Sequence, residues 1–443
     1  MMRKSALSML DVYANGILVG FWERKRGIEL FRYDPAWVAN PLGRPISISM
    51  PFNPGNDAFR GDVVTNYFDN LLPDSRDIRE RLAAKYQMRS TNSFSLLSEI
   101  GRDCVGALQI MPHEETPEGF DRIAGRPLNA DEVAQLLSGI IQVGVNADVD
   151  DDDFRISIAG AQEKTALLWH NDQWHVPLGA TPTTHLFKLP MGLAGGNAII
   201  DLSESVENEW LCAQICESFG LPMARCNIAQ FPGQKVLIVD RFDRALSEDG
   251  KWIMRLPQED MCQAFGVSGH LKYQSNGGPG IEQIMGLLQG SESAEQDRGA
   301  FFKSQIVFWL MAAIDGHAKN FSISMLSGGR YQLTPLYDVL SAHPYYGIGP
   351  KRLNWRKSKM AMAVRGKSNH YSITSIQRRH WVEMAKQTGM AHEIELLLGE
   401  VADKTADAIL HAETLLPANF PEELAHRIFD GMKKQRDLLA KQT

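Results

Sequence analysis

"IDGHAKNFSI", residues 314–323, sets an aspartate, a histidine, a lysine and an asparagine within six positions, at the end of the uninterrupted apolar run "IVFWLMAAI" (306–314). The run is half the roughly 18–20 apolar residues that span a bilayer, so it reads as a buried helix. That helix delivers Asp315 at its end, where the chain turns through Gly316, and Asn320 follows five residues later. The next stretch, "FSISMLSGGRYQLTPLYD" (321–338), alternates, turns at Ser327-Gly328-Gly329, and alternates again up to Tyr337-Asp338. This spacing predicts a hairpin. A hairpin brings its ends together, so Asp315, Asn320 and Asp338 are expected to converge on one point.

Such convergence is what phosphoryl transfer from Mg-ATP requires. The attacking hydroxyl needs a carboxylate to orient it and take its proton, and the metal needs hard oxygen ligands, commonly a carboxylate and an amide. In protein kinases the base aspartate precedes a metal-binding asparagine by five positions, and a second metal-binding aspartate follows a short hairpin. Asp315, Asn320 and Asp338 reproduce that order. Lys319 can neutralise charge on the transferred group, and His317 reads either as a phosphate or ribose contact or as a loop brace.

Upstream, "SIAGAQEKTAL" (157–167) sits where a phosphate-covering loop would lie, but it holds a single glycine, Gly160, and a plain hairpin explains it equally well. Lys188 in "THLFKLP" suits the α- and β-phosphates, against a lysine that merely snorkels from a strand end. The strand "VLIVDRF" could present the main chain of Asp240 to Phe242 to an adenine. Asp-Gly and Asn are also ordinary turn residues, which is the plain alternative for 315–320. No G-x-x-x-x-G-K-[ST] motif occurs, which excludes that nucleotide-binding class.

A chain of 443 residues, 44% hydrophobic and 22% charged, accommodates two or three domains. Its net charge of −7 argues against nucleic-acid binding through a global field. The start, "MMRKSALSMLDVYANG", lacks the apolar run of a secretory signal, so a cytoplasmic protein with no membrane association is expected. The five cysteines form no C-x-x-C pair and read as buried thiols.

Organisation is read as 1–125, a mixed α+β unit; 126–256, sheet-rich; and 257–443, mainly helical. Asn15-Gly16 marks a hairpin and "ISISM" (46–50) a strand. A helix covers about 130–142, and "DVDDDDF" (148–154) is a solvated linker. A helix after Asp201 and Glu204, spaced as a capping-box variant, stops at Gly220. "KRLNWRKSKMAMAVRGK" (351–367), with seven basic residues and no acid, reads as a solvated face or loop, or else as a contact for phosphates or an acidic partner.

Longer strings carry a resemblance. "FDNLLPDS" (68–75), "LLSEIGRDCVGAL" (96–108), "DFRISIAGAQEKTALL" (153–168), "TPTTHLFKLP" (181–190), "VDRFDR" (239–244), "RLPQEDMCQAFG" (255–266), "DGHAKNFS" (315–322) and "LTPLYD" (333–338) make the chain similar, nearly end to end, to the HipA-type serine/threonine kinase toxins of bacterial toxin–antitoxin pairs. The resemblance implies an α+β, bilobal, protein-kinase-like fold. It implies Asp315 as catalytic base beside Lys319 and Asn320, with Asn320 and Asp338 on Mg2+ and Lys188 on the ATP phosphates. The phosphate-covering loop would be Ala159, Gly160, Ala161, Gln162, Glu163 and Lys164. Adenine would lie on the main chain of Asp240, Arg241 and Phe242, with further nucleotide contacts from His317, Ala318, Lys319, Asn320, Tyr337 and Asp338. Ser157 occupies the position that is autophosphorylated in the family, and "MGLAGGNAIIDLSES" (191–205) that of a mobile loop. The implied substrate is an aminoacyl-tRNA synthetase, typically the glutamyl enzyme. The implied partner is a small DNA-binding, HipB-like antitoxin through which operator DNA is held. A small-molecule phosphotransferase and an inactive co-repressor scaffold are the competing readings.

Overall fold

The computed structural model describes residues 8–141, 157, 159, 162–194 and 200–440. The chain forms two compact units. One contains Met1–Leu189, Ala229–His270 and Ile323–Tyr331; the other contains Pro190–Ile228, Leu271–Ser322 and Gln332–Thr443. The linker "DVDDDDF" lies outside the described residues, as do Gly160 and Ala161 and the centre of the glycine-rich 191–205 stretch.

The first unit begins with a five-stranded antiparallel sheet. Met9–Ala14 and Ile17–Lys25 pair across a two-residue turn, Ala14 facing Ile17. Asn15 and Gly16 both hold positive φ, 49° and 78°, the geometry that favours Asn-Gly in a tight hairpin. Trp22 from this sheet stacks on Phe68 of helix Asp62–Asp69, ring centroids 3.9 Å apart, with Phe94 against its edge. Burial of aromatics of this size stabilises by about 1.5–3 kcal/mol each.

"ISISM" is not a strand. Its backbone is satisfied by side chains instead of a ladder. The Ile46 N–H donates to the Tyr33 hydroxyl, the Met50 carbonyl accepts from that same hydroxyl, and the Ile48 N–H donates to Glu259. Alternation at period two was real, but distant partners had claimed the groups a strand would pair.

The same unit holds a six-stranded sheet whose neighbours include Lys164–His170, His185–Lys188 and Gln234–Asp240. Helix Ala130–Ile141, at the expected position, packs Val133 and Leu137 into a core with Leu167, Phe187, Val236 and Ile238.

In the second unit, helices Ser205–Ser218, Ala294–Met311, Ile394–Leu415 and Glu422–Ala440 pack together. The Ser205–Ser218 helix is buried on nearly every face. It lacks the expected capping box: Glu204, the N-cap residue, makes no side-chain capping hydrogen bond, and Asp201 accepts instead from Ser203 in the turn before it. Gly220, at φ 76°, does end it. All five cysteines are buried, and none forms a disulfide. Among the described residues no cluster of three or more His, Cys, Asp or Glu could hold a metal, and no helix is long and apolar enough to cross a membrane.

The basic segment resolves into strand Lys359–Arg365, whose Met360 to Val364 are buried, so its cations flank an apolar ribbon. Gly366 and Lys367 then line a cleft of about 1040 Å³ with His370, Arg378, Arg379 and Lys386.

Candidate active site

The helix Ala294–Met311 ends earlier than the apolar run suggests. Ala312, in the left-handed region at φ 51°, breaks it, and Asp315 stands exposed in the turn beyond. The carbonyls released by that break find partners: Ala312 O accepts from Ala342 N–H, and Ile314 O from Ala361 N–H. Ala312 to Ile314 are thus apolar because they are packed, not because they are helical. Gly316 is required by proximity. Its φ is not positive, but a Cβ there would lie 2.7 Å from the Phe308 ring.

From this turn a short 3-10 segment, Ala318–Asn320, leads into strand Ser322–Met325. The Asn320 side-chain N–H donates to the Asp315 carbonyl at 3.1 Å and to the Asp338 carbonyl at 3.4 Å. One amide therefore ties together the two ends of the folded-back ribbon. Both partners are carbonyls, which only a donor can satisfy, so Oδ1 is left as the acceptor side. Tyr337 braces the same loop: its hydroxyl donates to the Lys319 carbonyl at 2.9 Å and meets the Ser322 hydroxyl at 2.5 Å. His317, Lys319 and Asn320 are buried, as is Ala318.

Asp338 has a left-handed backbone, φ 61°, uncommon for a residue with a Cβ. It is held there from both sides. Leu336 exchanges backbone bonds with Pro222 and Ala224, and Ser341 is gripped by both amide atoms of Asn208. Strain fixed by the surroundings is a recurrent mark of functional positions.

Sequence reasoning missed Tyr273, whose hydroxyl donates a short hydrogen bond to Asp315 Oδ1 and whose ring meets His317 edge-on at 5.1 Å. It also missed Asn208. Both act over long sequence separations, and neither belongs to a local pattern.

The other expected residues lie in the first unit. Lys188 is buried and stands directly opposite Lys164 on one side and Leu237 on the other. The two lysines therefore share a sheet face, which concentrates positive charge there. Glu163 pairs with Arg81, and the Gln162 amide donates to the Leu189 carbonyl at 2.6 Å. Ala159 is half-buried.

At the expected hinge, Asp240 pairs with His185 at 3.2 Å. Both main-chain groups of Arg241 have partners: its N–H donates to Thr184, and its carbonyl accepts from Arg244. The Arg241 side chain turns inward, to Asp243 and Asp103. Ser157 is fully buried, its hydroxyl donating to the Leu71 carbonyl at 2.7 Å and its N–H to the Asp103 carbonyl at 3.2 Å.

A family model of the HipA N-terminal domain matches residues 10–111, and one of the HipA-like C-terminal domain matches residues 156–409. The chain belongs to the HipA family. Among curated HipA relatives, the serine/threonine-protein kinase toxin HipA of Shewanella oneidensis is 25% identical over 425 residues, covering 92% of this chain and 90% of that protein. Y4mE of Sinorhizobium fredii is 29% identical over 407 residues, covering 90% and 91%. The Shewanella HipA solved with HipB and its operator DNA has the same fold: TM-score 0.77 at 20% identity, covering 97% of this chain and 96% of that one. The α+β HipA fold expected from the sequence is therefore the fold observed.

Proposed function

We propose that the chain is an ATP-dependent serine/threonine protein kinase acting as the toxin of a toxin–antitoxin pair. The observation that carries this is the Asn320 amide, which draws the Asp315 and Asp338 backbones together and turns its own oxygen away from both. Asn320 Oδ1 and the Asp338 carboxylate are hard oxygen donors of the kind Mg2+ takes when phosphates complete its shell. Bound Mg-ATP supplies the reactive γ-phosphoryl group and its leaving group.

The chain's own residues do the rest. Asp315, held through Oδ1 by Tyr273, presents its other oxygen to a serine or threonine hydroxyl, orients it and takes its proton. Lys319 offsets charge on the transferred group, with His317, Ala318 and Tyr337 shaping the loop around the nucleotide. Lys188 and Lys164 bind the ATP phosphates, with the 159–164 stretch as the phosphate-covering segment. Adenine rests on the main chain of Asp240, Arg241 and Phe242.

The Shewanella relative is named a serine/threonine-protein kinase toxin and is solved with HipB and operator DNA. By that likeness the partner here is a HipB-like antitoxin that carries most of the DNA contact, in keeping with the net charge of −7. The substrate read from the family is an aminoacyl-tRNA synthetase, the glutamyl enzyme first. Phosphorylation of Ser157 would silence the kinase: a phosphate has acceptors where the hydroxyl now donates to Leu71, so the modified residue cannot keep its buried place.

The test is incubation of purified protein with labelled ATP and Mg2+, alone and with cell extract. Label on Ser157 and on one synthetase-sized band is the expected result. Label confined to small metabolites would establish a small-molecule phosphotransferase, and no label, with intact operator binding alongside the antitoxin, an inactive co-repressor.

A further inference from the structure

A buried ion network inside the first unit ties the family's N-terminal domain to the segment expected to hold adenine. Asp103, within the N-terminal match, is the hub. Its Oδ2 accepts from Arg241 at 3.1 Å, from the Thr183 hydroxyl at 2.7 Å and from the Thr183 N–H at 3.1 Å. Its Oδ1 accepts from Arg244 at 2.9 Å and Arg255 at 3.3 Å. The next residues continue the seam. Cys104 O accepts from Arg241 at 2.8 Å and Arg244 at 2.9 Å, while the Gly106 N–H donates to Asp243 at 2.7 Å. Asp243 binds Arg241 in turn at 2.9 Å. Every charged member is buried. Burial alone would raise the Asp103 carboxyl, but the guanidiniums of Arg244, Arg241 and Arg255 outweigh it and hold it well below the usual carboxylate range.

The hub also reaches the other expected nucleotide element, since the Asp103 carbonyl accepts the Ser157 N–H at the start of the 157–167 stretch. One short turn, 103–106, therefore holds both the 240–244 segment through side chains and Ser157 through its backbone. Stability alone does not call for this arrangement, because burying a charge network against an apolar alternative is often neutral or costly. Long-range registration of two elements is what such a network supplies.

We propose that Asp103 is a positioning residue for nucleotide binding, by which the N-terminal domain sets the expected adenine segment, 240–244, relative to Ser157. This rests on the kinase reading. Asp103 touches no substrate; it acts through Arg241 and Ser157.

Two measurements test it. In the wild-type protein, hydrogen exchange with and without a non-hydrolysable ATP analogue is expected to show slower exchange at the 103–106 amides together with 240–244. Protection at 240–244 alone would overturn the proposal. Second, Thr183→Val, which removes a hydroxyl from the hub and keeps its shape, and Asp103→Asn are each checked for folding by circular dichroism. They are expected to weaken ATP-analogue binding about tenfold and to erode ATP-over-GTP preference, with kcat at saturating ATP within threefold of wild type. A folded Thr183→Val variant with unchanged affinity and preference would also overturn it. If Asp103→Asn does not fold, Thr183→Val and the exchange experiment still decide. If the wild type binds no ATP analogue at all, it is the kinase reading that fails.

Discussion

At the scale of single residues, the proposed chemistry rests on three side chains, Asp315, Asn320 and Asp338, with Tyr273 and Asn208 bonded beside them. Asp315 is exposed, and its side chain is not part of a core, so its substitution should leave the fold intact. Asp315→Asn is expected to lower phosphoryl transfer by roughly 10²–10⁴-fold, the range of a lost general base, in a labelled-ATP assay with unchanged circular dichroism. Tyr273→Phe removes only the hydroxyl that orients Asp315. A smaller fall in kcat is expected, about three- to tenfold, with the KM for ATP nearly unchanged. Asp315, Asn320 and Asp338 were legible in the sequence because their spacing is itself the pattern. Tyr273 and Asn208 were not, because a brace 42 or 133 residues away leaves no periodic trace.

At the scale of elements, helix length was misjudged where apolar character outlasted helical geometry. Ala312 to Ile314 belong to a packed turn, and the turn is what aims Asp315. Gly316 is where this is most easily disturbed. Gly316→Ala forces a methyl against Phe308, at a cost of about 1–3 kcal/mol for overpacking. The expected result is a lower midpoint of thermal unfolding and a fall in transfer rate larger than the stability loss explains, since the turn moves with its base. The capping box at Asp201 and Glu204 failed for a related reason. The spacing was right, but Asp201 found a nearer acceptor role with Ser203, and the helix began at Ser205 without a side-chain cap.

At the scale of the whole molecule, buried carboxylates set opposing responses to pH. Asp103 and Asp243 are held in their charged forms by arginines, so their contribution is complete at neutral pH and is lost only as pH falls below the ordinary carboxylate range. Glu259 behaves in the opposite way. Burial raises its pKa from 4.5 to about 8, so between those values the folded protein keeps a proton that the unfolded chain has released. Stability therefore falls as pH rises through that window, by ~1.4 kcal/mol per unit for this one group. Glu259→Gln, which mimics the protonated form beside Ile48, is expected to be the more stable protein at pH 8 and to flatten the fall between pH 5 and 8 in urea unfolding. An unchanged slope would show that the Glu259 carboxyl is not what titrates.

The sequence by itself determined the helix-then-hairpin that carries the candidate catalytic residues, the Asn15-Gly16 turn and the main strands, each written in local periodicity or in turn chemistry that needs no distant partner; the class of fold came from the longer strings that carry the family resemblance. Tertiary structure alone decided that "ISISM" is not a strand, that the site helix stops at Met311, that Arg241 points inward, and that one aspartate in the N-terminal domain grips both expected nucleotide elements. The physical reason is common to all four. A buried polar group must be satisfied by whatever reaches it, and what reaches it is fixed by packing between segments far apart in the chain.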